Sequence, residues 1–484
     1  MTHLSRRGFM ATGITAASYS RVLGANDAIR LGVVGVGSTV KIGGKGKGDA
    51  RDFAKIAGVK VAAFCDVDHA NLDPEVQKWR DRGEAVEAYT DVRKLLDNKE
   101  IDIVSVTTPN HWHALVTVWA CQAGKDVFVQ KPASHNLFEG RKMVEAARQY
   151  KRIVQCPSNS RSPNGFMEAA AWARKGNLGK IRYVHGINWA ARTSIGKVTA
   201  ALPLPSSINY DMWCGPGPVL PVMRENLHYD WHWQWPYGDG ELGNWGPHIL
   251  DGCRIAIDSK AMPKHVICLG GRFGYDDDGQ TPNSQLMFYD YQPAPILFEI
   301  RGLPKEKSLM QTAWDKNQQQ TMDSLCGIRQ GTIIYCEGGY VAQNKAYDKD
   351  GKLIQQFRPE SPNLNVNFIE AVRSRKQETL VADIEEGHQT VALIHMANIS
   401  YRVGKTASAG EAQERIRGNK EFSAAFGRFD EHLKANGVER SPLTMGPMLA
   451  MDPAAEKFHG DFATQANELA RGKYRKPYVV PEKV

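Results

Sequence analysis

The sequence predicts an α/β fold, a Rossmann-type doubly wound parallel sheet followed by an α+β domain with a mainly antiparallel open sheet. Short apolar strands alternate with helical segments as far as residue 156, as in successive βαβ units. The first strand runs directly into a glycine turn at Gly35 and Gly37. Beyond Pro163, extended runs follow one another with few helices between them, which is typical of an antiparallel sheet with one covered face.

The first βαβ unit, residues 29–68, is predicted to bind a dinucleotide. In such units glycines let the backbone approach a pyrophosphate at a helix N-terminus, and an acid ending the second strand binds the ribose hydroxyls. Gly35, Gly37 and Asp66 hold these positions. Because a carboxylate repels a 2′-phosphate, Asp66 favours NAD and disfavours NADP.

This unit departs from the usual spacing. Val40 stands at the third glycine position, and Asp66 follows Gly37 by 29 residues, against about 20 in the usual motif. The excess falls in the loop Ser38–Gly48, whose own glycines offer a second register for the turn. We prefer the register at Gly35, because the strand leads directly into it. A glycine loop without a ligand is the alternative.

Two polar loops follow later strands at the sheet edge where doubly wound folds bind ligands. One follows the strand Asp102–Thr107 and holds Thr108, Pro109, Asn110 and His111. The other follows Asp126–Gln130 and begins with Lys131-Pro132. All of these are candidate cofactor-binding residues, although His111 is equally suited to be a polar residue at a helix N-terminus.

The chain divides into residues 27–156 for the dinucleotide-binding domain, 157–404 for a substrate and dimerisation domain, and 405–484 for a C-terminal extension packed on both. Strands are predicted at Lys180–Trp189, His265–Arg272, Ser284–Tyr289, Pro295–Arg301 and Gly331–Cys336. Helices are predicted at Phe368–Arg373 and Glu385–Gly404. A proline- and tryptophan-rich segment between Leu202 and Gly246 is predicted to be a long ordered loop region.

Composition excludes several classes of function. The 484 residues are 42% apolar and 24% charged, as in globular proteins. A net charge of +8 without basic blocks among aromatics argues against nucleic-acid binding, and no apolar run is long enough to span a bilayer. The eight cysteines form no Cys-x-x-Cys or zinc-type cluster, so no metal site is predicted. An even number permits disulfides, but several lie in predicted strands or helices, which favours free thiols.

Residues 1–26 contain no acidic residue and hold Ser5-Arg-Arg-Gly-Phe-Met10 before a mildly apolar stretch. This pattern is similar to a twin-arginine signal, which predicts recognition by the twin-arginine export machinery and a periplasmic or otherwise exported protein. A disordered basic tail is the alternative. Because that route carries folded proteins, we expect NAD to be loaded before export, retained tightly and recycled on the enzyme.

Four motifs occur in one order: Gly35-x-Gly37, Thr108-Pro-Asn-His111, Lys131-Pro132 and Gly243-Asn244-x3-His248-x2-Asp251. On these motifs residues 28–404 resemble the Gfo/Idh/MocA oxidoreductases, NAD(P)-dependent enzymes that act mostly on sugars and cyclitols. The tail resembles an exported bacterial branch of that family. The resemblance implies that Lys131 lies beside the nicotinamide and the reacting hydroxyl. Gln130 stands where the family often has Glu, and Asn244 where it often has Asp.

We therefore expect Lys131 and His248 to share proton transfer, with Asn244 orienting the reacting group. Histidine transfers protons near neutral pH, and a desolvated lysine without an anionic partner has a lowered pKa. If a helix begins before Asn244, then Asn244, His248 and Asp251 share one face. Asp251 is a candidate substrate ligand, with a salt bridge as the equal alternative.

The aromatic stretch Tyr229–Tyr237 leads into the His248 region, and His232 and Trp233 are its candidate substrate ligands. Aromatic faces cover the apolar faces of sugars, while polar tips bind hydroxyls. Packing in an interdomain or subunit core is the alternative.

The sequence thus predicts an NAD-dependent oxidoreductase that acts on a secondary hydroxyl of a sugar or sugar derivative, expected as a homo-oligomer. Two alternatives stay open. In the first, transient oxidation acidifies a neighbouring C–H, a substituent is eliminated and NADH restores the alcohol, which gives a glycoside hydrolase or lyase with no net redox. In the second, the chain is a non-catalytic carbohydrate-binding protein.

Overall fold

The computed structural model describes residues 28–38, 43–310, 318–439, 441 and 443–484. It confirms the predicted fold class, because a six-stranded parallel sheet precedes a domain built on a mainly antiparallel twelve-stranded sheet. The predicted export signal and Val40 lie outside the described residues.

The first domain is a doubly wound sheet. Its strands are β1 (Ile29–Val34), β2 (Val59–Cys65), β3 (Glu87–Tyr89), β4 (Ile103–Val106), β5 (Asp126–Val129) and β6 (Val154–Gln155). Its helices are α1 (Lys45–Ala54), α2 (His69–Arg80), α3 (Val92–Asp97), α4 (Asn110–Gln122) and α5 (Leu137–Gln149). The strand order is β3-β2-β1-β4-β5-β6, with all pairs parallel. The order reverses between β1 and β4, so this is the edge at which a ligand is expected.

The second domain and the C-terminal extension share one sheet. Its strands are β7 (Ile181–Trp189), β8 (His265–Gly271), β9 (Ser284–Tyr289), β10 (Ile296–Arg301), β11 (Gln330–Cys336), β12 (Gly339–Ala342), β13 (Lys345–Asp348), β14 (Leu353–Gln356), β15 (Lys405–Ala407), β16 (Leu443–Met445), β17 (Leu449–Asp452) and β18 (Lys457–His459). The path is β14-β13-β12-β11-β7-β10-β9-β8-β16-β15, and β17 pairs with β8 and β18. Only β7 and β10 pair in parallel among these described strands. The extension therefore continues the sheet through its pairing with β8.

The helices of this part are α6 (Phe166–Arg174), α7 (Tyr210–Cys214), α8 (Gly240–Ile257), α9 (Gln318–Thr321), α10 (Leu364–Ser374), α11 (Ile384–Arg402), α12 (Ala409–Ile416), α13 (Lys420–Ala435) and α14 (Ala463–Arg471). Several of them lie against the two faces of the large sheet, among them α8 and α11 on one face and α12 and α13 on the other. Helix α8 approaches β7 closely at Gly186, where an added Cβ would lie 2.6 Å from Phe298 and 2.9 Å from Cys253 Sγ. On the other face, α13 buries Phe422, Phe426 and Phe429 in the core.

The two domains also share a core, because Phe368 of α10 packs on the first sheet. Its ring centroid lies 5.5 Å from that of Phe128 and 6.1 Å from that of Phe53, on β5 and α1. All eight cysteines are free thiols, and seven of them are buried. Across the described ranges, no helix combines the length and the apolar composition needed to cross a membrane.

Candidate active site

A cleft of about 1350 Å³ lies at the carboxyl edge of the first sheet, where the strand order reverses. Residues from both sides line it. The sheet edge provides Gly35, Gly37, Asp66, Thr108, Pro109, Asn110 and Lys131. The segment after β7 provides Trp213, Tyr229, Trp231 and His232, and α8 provides Asn244. Most of the residues that the sequence suggests for cofactor binding are therefore brought together.

The glycine turn lies at Gly35 and Gly37, whose φ values of +87° and +97° fall in the left-handed region. An added Cβ at Gly35 would lie 2.8 Å from the Thr107 carbonyl carbon. At Gly37 it would collide with the Gly43 carbonyl oxygen. Glycine is therefore required at both positions for steric as well as conformational reasons.

The third glycine of the motif is Gly46, which corrects the assignment of that position to Val40. Gly46 lies in the first turn of α1, and a Cβ there would collide with the Gly35 carbonyl oxygen. This contact lets α1 pack closely against β1, which is the role of the third glycine. The extra residues thus lie between the turn and the helix.

The N-terminus of α1 offers a site for a phosphate group. Gly44, at the N-cap position, has no side chain to cap the helix, and the first turn contains no acidic residue. Lys45 lines the cleft beside this helix end. Free backbone N–H groups, the helix dipole and a lysine together favour an anion here.

Asp66 lies at the position expected for a ribose ligand, directly after β2. Its Oδ2 accepts hydrogen bonds from the backbone N–H groups of Val36, at 2.8 Å, and Gly37, at 3.4 Å. Its Oδ1 accepts one from Asp68 N at 3.0 Å. Burial raises the pKa of Asp66, and these hydrogen bonds oppose that shift. A carboxylate has about four acceptor sites, so capacity remains for ribose hydroxyls.

The loop after β4 contributes a buried polar atom without a protein partner. Thr108 Oγ1 makes no hydrogen bond within the described residues. The ring of His113 ties this loop to the next, with Nε2 at 2.8 Å from the Thr108 carbonyl oxygen and Nδ1 at 2.7 Å from that of Pro132. The unpartnered hydroxyl fits a cleft that is completed by a polar ligand.

His111 does not face this cleft, although it follows directly on Asn110. Its ring packs against Trp213 and Tyr237, with centroids at 5.6 and 5.1 Å. Its two nitrogens lie 3.3 and 3.1 Å from the carbonyl oxygens of the same two residues, Tyr237 and Trp213 respectively. Burial lowers the pKa of His111 to about 3. The ring therefore fastens the segment that contains Trp213 and Tyr237 to α4. This placement corrects the prediction of a cofactor contact by His111.

Lys131 reaches α8. Its Nζ donates to the carbonyl oxygen of Asn244 at 2.5 Å and to the side-chain Oδ1 of the same residue at 3.1 Å. Burial lowers the pKa of Lys131 to about 8. Near neutral pH a fraction of the side chain is therefore uncharged, and an uncharged amine can accept a proton.

Glu241, which the sequence reasoning missed, lies one turn before Asn244. Its carboxylate accepts from Arg192 Nε and Nη2, both at 3.0 Å, from Asn188 Nδ2 at 3.1 Å and from Asn244 Nδ2 at 3.4 Å. Asn244 thus links Lys131 to a buried ion pair. The i, i+3 spacing to Asn244 would have indicated Glu241 if α8 had been predicted to begin at Gly240, whereas Arg192 left no signal in the sequence.

Asp49 was missed in the same way. It is buried on α1, and its Oδ2 accepts from Gln130 Nε2 at 2.8 Å and from Ser105 Oγ at 3.1 Å. Its Oδ1 pairs with Lys45, four residues earlier. Positions 130 and 244 carry amides and no carboxylates. Each amide is hydrogen-bonded to a carboxylate on a neighbouring element, Gln130 to Asp49 and Asn244 to Glu241.

His248 lies one turn after Asn244 on α8, at a separate polar cavity of about 710 Å³ that also includes Asn159, Gln330 and Gln343. Its Nδ1 accepts a hydrogen bond from the backbone N–H of Asn159 at 3.1 Å. A neutral imidazole with an accepting Nδ1 carries its proton on Nε2. Burial and the Lys131 charge lower the pKa of His248 to about 3. This geometry favours donation of a hydrogen bond from Nε2 to a ligand.

Of the three predicted substrate ligands, only His232 lines the cleft. Its ring stacks on Trp231 with centroids 3.7 Å apart, and its Nδ1 donates to the Tyr229 carbonyl oxygen at 2.5 Å. Its Nε2 therefore holds the lone pair, and burial lowers its pKa to about 3. Trp233 is 5% exposed and lies outside the residues that line the cleft.

Asp251 is likewise not brought to the cleft. Its two oxygens accept from Arg161 Nε and Nη2 at 2.8 and 2.9 Å, and Oδ1 also accepts from Thr390. It shares the face of α8 with His248, but this buried ion pair corrects the prediction that it binds substrate.

The segment 201–238, here called the roof, is fastened to the first domain at several points. His228 Nε2 lies 2.7 Å from Asp68 Oδ2, and Trp112 Nε1 donates to the Met212 carbonyl oxygen at 3.1 Å. From the C-terminal tail, Arg475 binds Asp211 through its side-chain Oδ1 and its carbonyl oxygen, both at 2.6 Å. The roof therefore covers a cleft whose opposite wall is the glycine turn.

Two family models match the chain. One describes the NAD-binding Rossmann fold of the Gfo/Idh/MocA oxidoreductase family and matches residues 29–157. The other describes the C-terminal alpha/beta domain of the same oxidoreductase family and matches residues 170–268.

Curated relatives match about a third of the chain. A "Glycosyl hydrolase family 109 protein" of Shewanella pealeana is 27% identical over 176 residues, which cover 34% of this chain and 37% of the relative. An "Inositol 2-dehydrogenase" of Salmonella paratyphi B is 30% identical over 169 residues, 34% of this chain and 47% of the relative. The chain thus spans less than half the length of either relative.

Solved structures match over a longer range. The WlbA dehydrogenase of Bordetella pertussis, crystallised with NADH and UDP-GlcNAcA, is 16% identical with a TM-score of 0.53. The match covers 78% of this chain and 97% of that structure. At this identity the likeness establishes the fold.

Proposed function

We propose that the chain is an NAD-dependent oxidoreductase of the Gfo/Idh/MocA type acting on a secondary hydroxyl of a sugar or sugar derivative. Two models of that oxidoreductase family, which match residues 29–157 and 170–268, support the proposal. The observation that carries the proposal is Lys131. It is a buried lysine with a pKa lowered to about 8, held by Asn244 in a cleft that also contains the glycine turn. A proton acceptor beside a dinucleotide cleft is what oxidation of an alcohol requires.

The described residues fit NAD. Gly35 and Gly37 permit close approach of a pyrophosphate, the N-terminus of α1 faces it, and Asp66 has acceptor capacity left for a ribose. Thr108 Oγ1 is buried and unpartnered within the described residues, so a ligand would complete its hydrogen bonding. A carboxylate at the ribose position supports NAD over NADP.

When bound, NAD supplies the carbon that accepts or returns the hydride. In our proposal the uncharged Lys131 takes the hydroxyl proton, and Asn244 keeps its Nζ directed at the cleft. His248 lies at the separate cavity and not in the cleft, and with a pKa lowered to about 3 it takes up no proton near neutral pH, which corrects the expectation that it shares proton transfer with Lys131. We assign it a hydrogen bond from Nε2 to a part of the substrate that extends into that cavity. Gln330, Gln343 and Asn159 line the cavity of His248, and their amide groups suit the hydroxyls of a carbohydrate.

We also propose that the cofactor is retained and recycled, and that the protein is exported by the twin-arginine machinery. The roof supports retention, because it contacts the first domain through His228 and Trp112 and is held by the tail through Arg475. The acid-free Ser5-Arg-Arg-Gly-Phe-Met10 segment supports export. The expected homo-oligomer stays a prediction.

The test is to offer the enzyme a panel of myo-inositol, free hexoses and UDP-sugars. Reaction is monitored by the change in nicotinamide absorbance of the intact enzyme. Loss of a general base costs about 10²–10⁴-fold in rate, so we expect this loss in Lys131→Ala. Lys131→Arg should lose as much, since guanidinium keeps its proton. Full activity in Lys131→Ala would contradict the assignment.

A second candidate function is hydrolysis or elimination of a glycoside without net redox. Elimination needs an acceptor for the C–H proton, and His232, whose Nε2 carries no proton, lines the same cleft as Lys131. The relative named a glycosyl hydrolase supports the same idea. Product analysis with p-nitrophenyl glycosides separates the two, because released nitrophenol without net NADH indicates hydrolysis, whereas a keto-sugar with NADH indicates oxidation.

The non-catalytic alternative has less support. It rested partly on the missing carboxylates at Gln130 and Asn244, and Asp49 and Glu241 supply carboxylates to those two amides. A binding protein has no need for a lysine desolvated in this way.

A further inference from the structure

A second cavity, of about 1110 Å³, lies behind the loop that lines the cleft. Consecutive residues separate the two, since Asn110 lines the cleft and the next residue, His111, lines this cavity. Helix α11 contributes Asn398 and Arg402, and the tail contributes Tyr474. No step of the proposed reaction uses this cavity.

Its mouth carries a cation, Arg402, which forms no ion pair with an acid among the described residues. Burial lowers the pKa of Arg402, and the nearby Asp239 carboxyl opposes that shift. The Arg402 guanidinium lies 5.0 Å above the Trp235 ring, and Arg402 forms no ion pair or hydrogen bond with any described residue. Lys473, exposed on the tail, lines the same mouth. A guanidinium over an aromatic ring that forms no other hydrogen bond has N–H groups available for a planar anion.

Deeper in the cavity, two acceptor oxygens lack donors. Asp239 is 5% exposed, and its Oδ2 accepts from Asn110. Its Oδ1 makes no hydrogen bond within the described ranges, the nearest imidazole nitrogens being those of His135 at 3.8 Å and His395 at 3.7 Å. Asn398 donates through Nδ2 to the Asp239 carbonyl oxygen, and its buried Oδ1 has no partner in the described structure. Buried acceptors of this kind are normally satisfied by a donor.

The two cations at the mouth and the unpartnered acceptors inside favour a ligand that has an anionic end and several hydroxyl groups. Asp239 and Glu139 both line the cavity, and burial raises their pKa values to about 8 and about 7, so near neutral pH each carboxyl group is only partly charged. They therefore repel a singly charged carboxylate less than a phosphate dianion. We propose that this cavity binds a small polyhydroxylated carboxylic acid, an aldonic or uronic acid, with its carboxylate on Arg402 and its hydroxyls on Asp239 and Asn398. The site is independent of the reaction proposed for the cleft.

Calorimetric titration of the full chain tests the site, with D-gluconate and D-glucuronate as probes and D-glucose and inorganic phosphate as comparisons. We expect saturable binding of at least one acid with a Kd of about 1 mM or tighter, and weaker binding of glucose and phosphate. Arg402→Gln should weaken the acid by about tenfold or more, because a charge-assisted hydrogen bond is lost. Lys473→Gln should weaken it less.

Two matched variants keep the test specific. Arg415→Gln removes an exposed arginine of α12 that does not line the cavity, and it should leave the affinity unchanged. Lys131→Ala alters the cleft and should also leave it unchanged. Absence of saturable binding by either acid, equal binding of glucose, or loss of binding in Lys131→Ala but not in Arg402→Gln would each overturn the proposal.

Discussion

Replacing Glu241 by Gln should shift the pH profile of the enzyme to lower pH. Glu241 raises the pKa of Lys131, and burial, the larger effect, lowers it to about 8. The Glu241 carboxylate forms no direct hydrogen bond with Lys131 in the described structure. The Asn244 side-chain amide lies between them and is hydrogen-bonded to both. An opposite charge in closer contact changes a pKa by about 1–3 units, so we expect a decrease of about one unit on its removal.

The direction of the effect on rate follows from the role of Lys131 as a base. Only the uncharged amine accepts a proton, so activity rises with pH through the pKa of Lys131. At pH 7 about a tenth of the side chain is uncharged when the pKa is about 8, and about half when it is about 7. At high pH, where Lys131 is fully uncharged in both proteins, the variant should be no faster than the parent. The rate at pH 7, expressed as a fraction of the plateau rate of the same protein at high pH, should therefore be about fivefold higher in the variant.

The assay is kcat/KM against pH for the parent and for Glu241→Gln, with circular dichroism to verify folding. The double variant Glu241→Gln with Arg192→Gln is the control, because Arg192 lowers the pKa of Lys131 and its removal opposes the loss of Glu241. The midpoint of the double variant should return towards that of the parent. An unchanged midpoint in Glu241→Gln, or a midpoint displaced to higher pH, would refute the reasoning.

Three further predictions concern the cofactor cleft. Gly46→Ala should destabilise the protein by about 1–3 kcal/mol in chemical denaturation, because its Cβ would collide with the Gly35 carbonyl oxygen. Gly48→Ala on the same helix meets nothing within 4 Å, and it should stabilise by about 0.5–1 kcal/mol. Asp66→Asn should reduce the preference for NAD over NADP in equilibrium binding, since the charge that repels the 2′-phosphate is gone. An unchanged ratio of the two dissociation constants would contradict the assignment of Asp66 to the ribose site. Arg475→Ala should speed release of bound nucleotide, because Arg475 binds Asp211 of the roof. Lys476→Ala should not, because Lys476 forms no hydrogen bond or ion pair with the roof in the described structure. Equal release rates in the two variants would argue that the tail does not hold the roof.

The fold could be predicted because its signals are local. The strand β1 is continuous with Gly35 and Gly37, and strands β8 and β9 begin at the predicted residues His265 and Ser284. The short strands β15–β18 escaped prediction, because three or four residues carry little periodicity and form strands only by pairing with β8 or with one another.

The site was predictable only in part, because its remaining contacts join distant segments. Lys131 and Asn244 could be found from the motifs, but Asp49 is recognisable only once α1 is seen to pack beside Gln130. His111 was misjudged, because the roof that buries it comes about 100 residues later. Asp251 was left between two roles until its partner Arg161 was known.

The central claim is that the altered glycine loop still forms an NAD site with tight retention. The most direct measurement is the nucleotide content of freshly purified protein, denatured and analysed by absorbance and mass. The account predicts about one equivalent of NAD(H) per chain, as expected for a single dinucleotide cleft. Absence of nucleotide, together with no binding when NAD is added back, would contradict it.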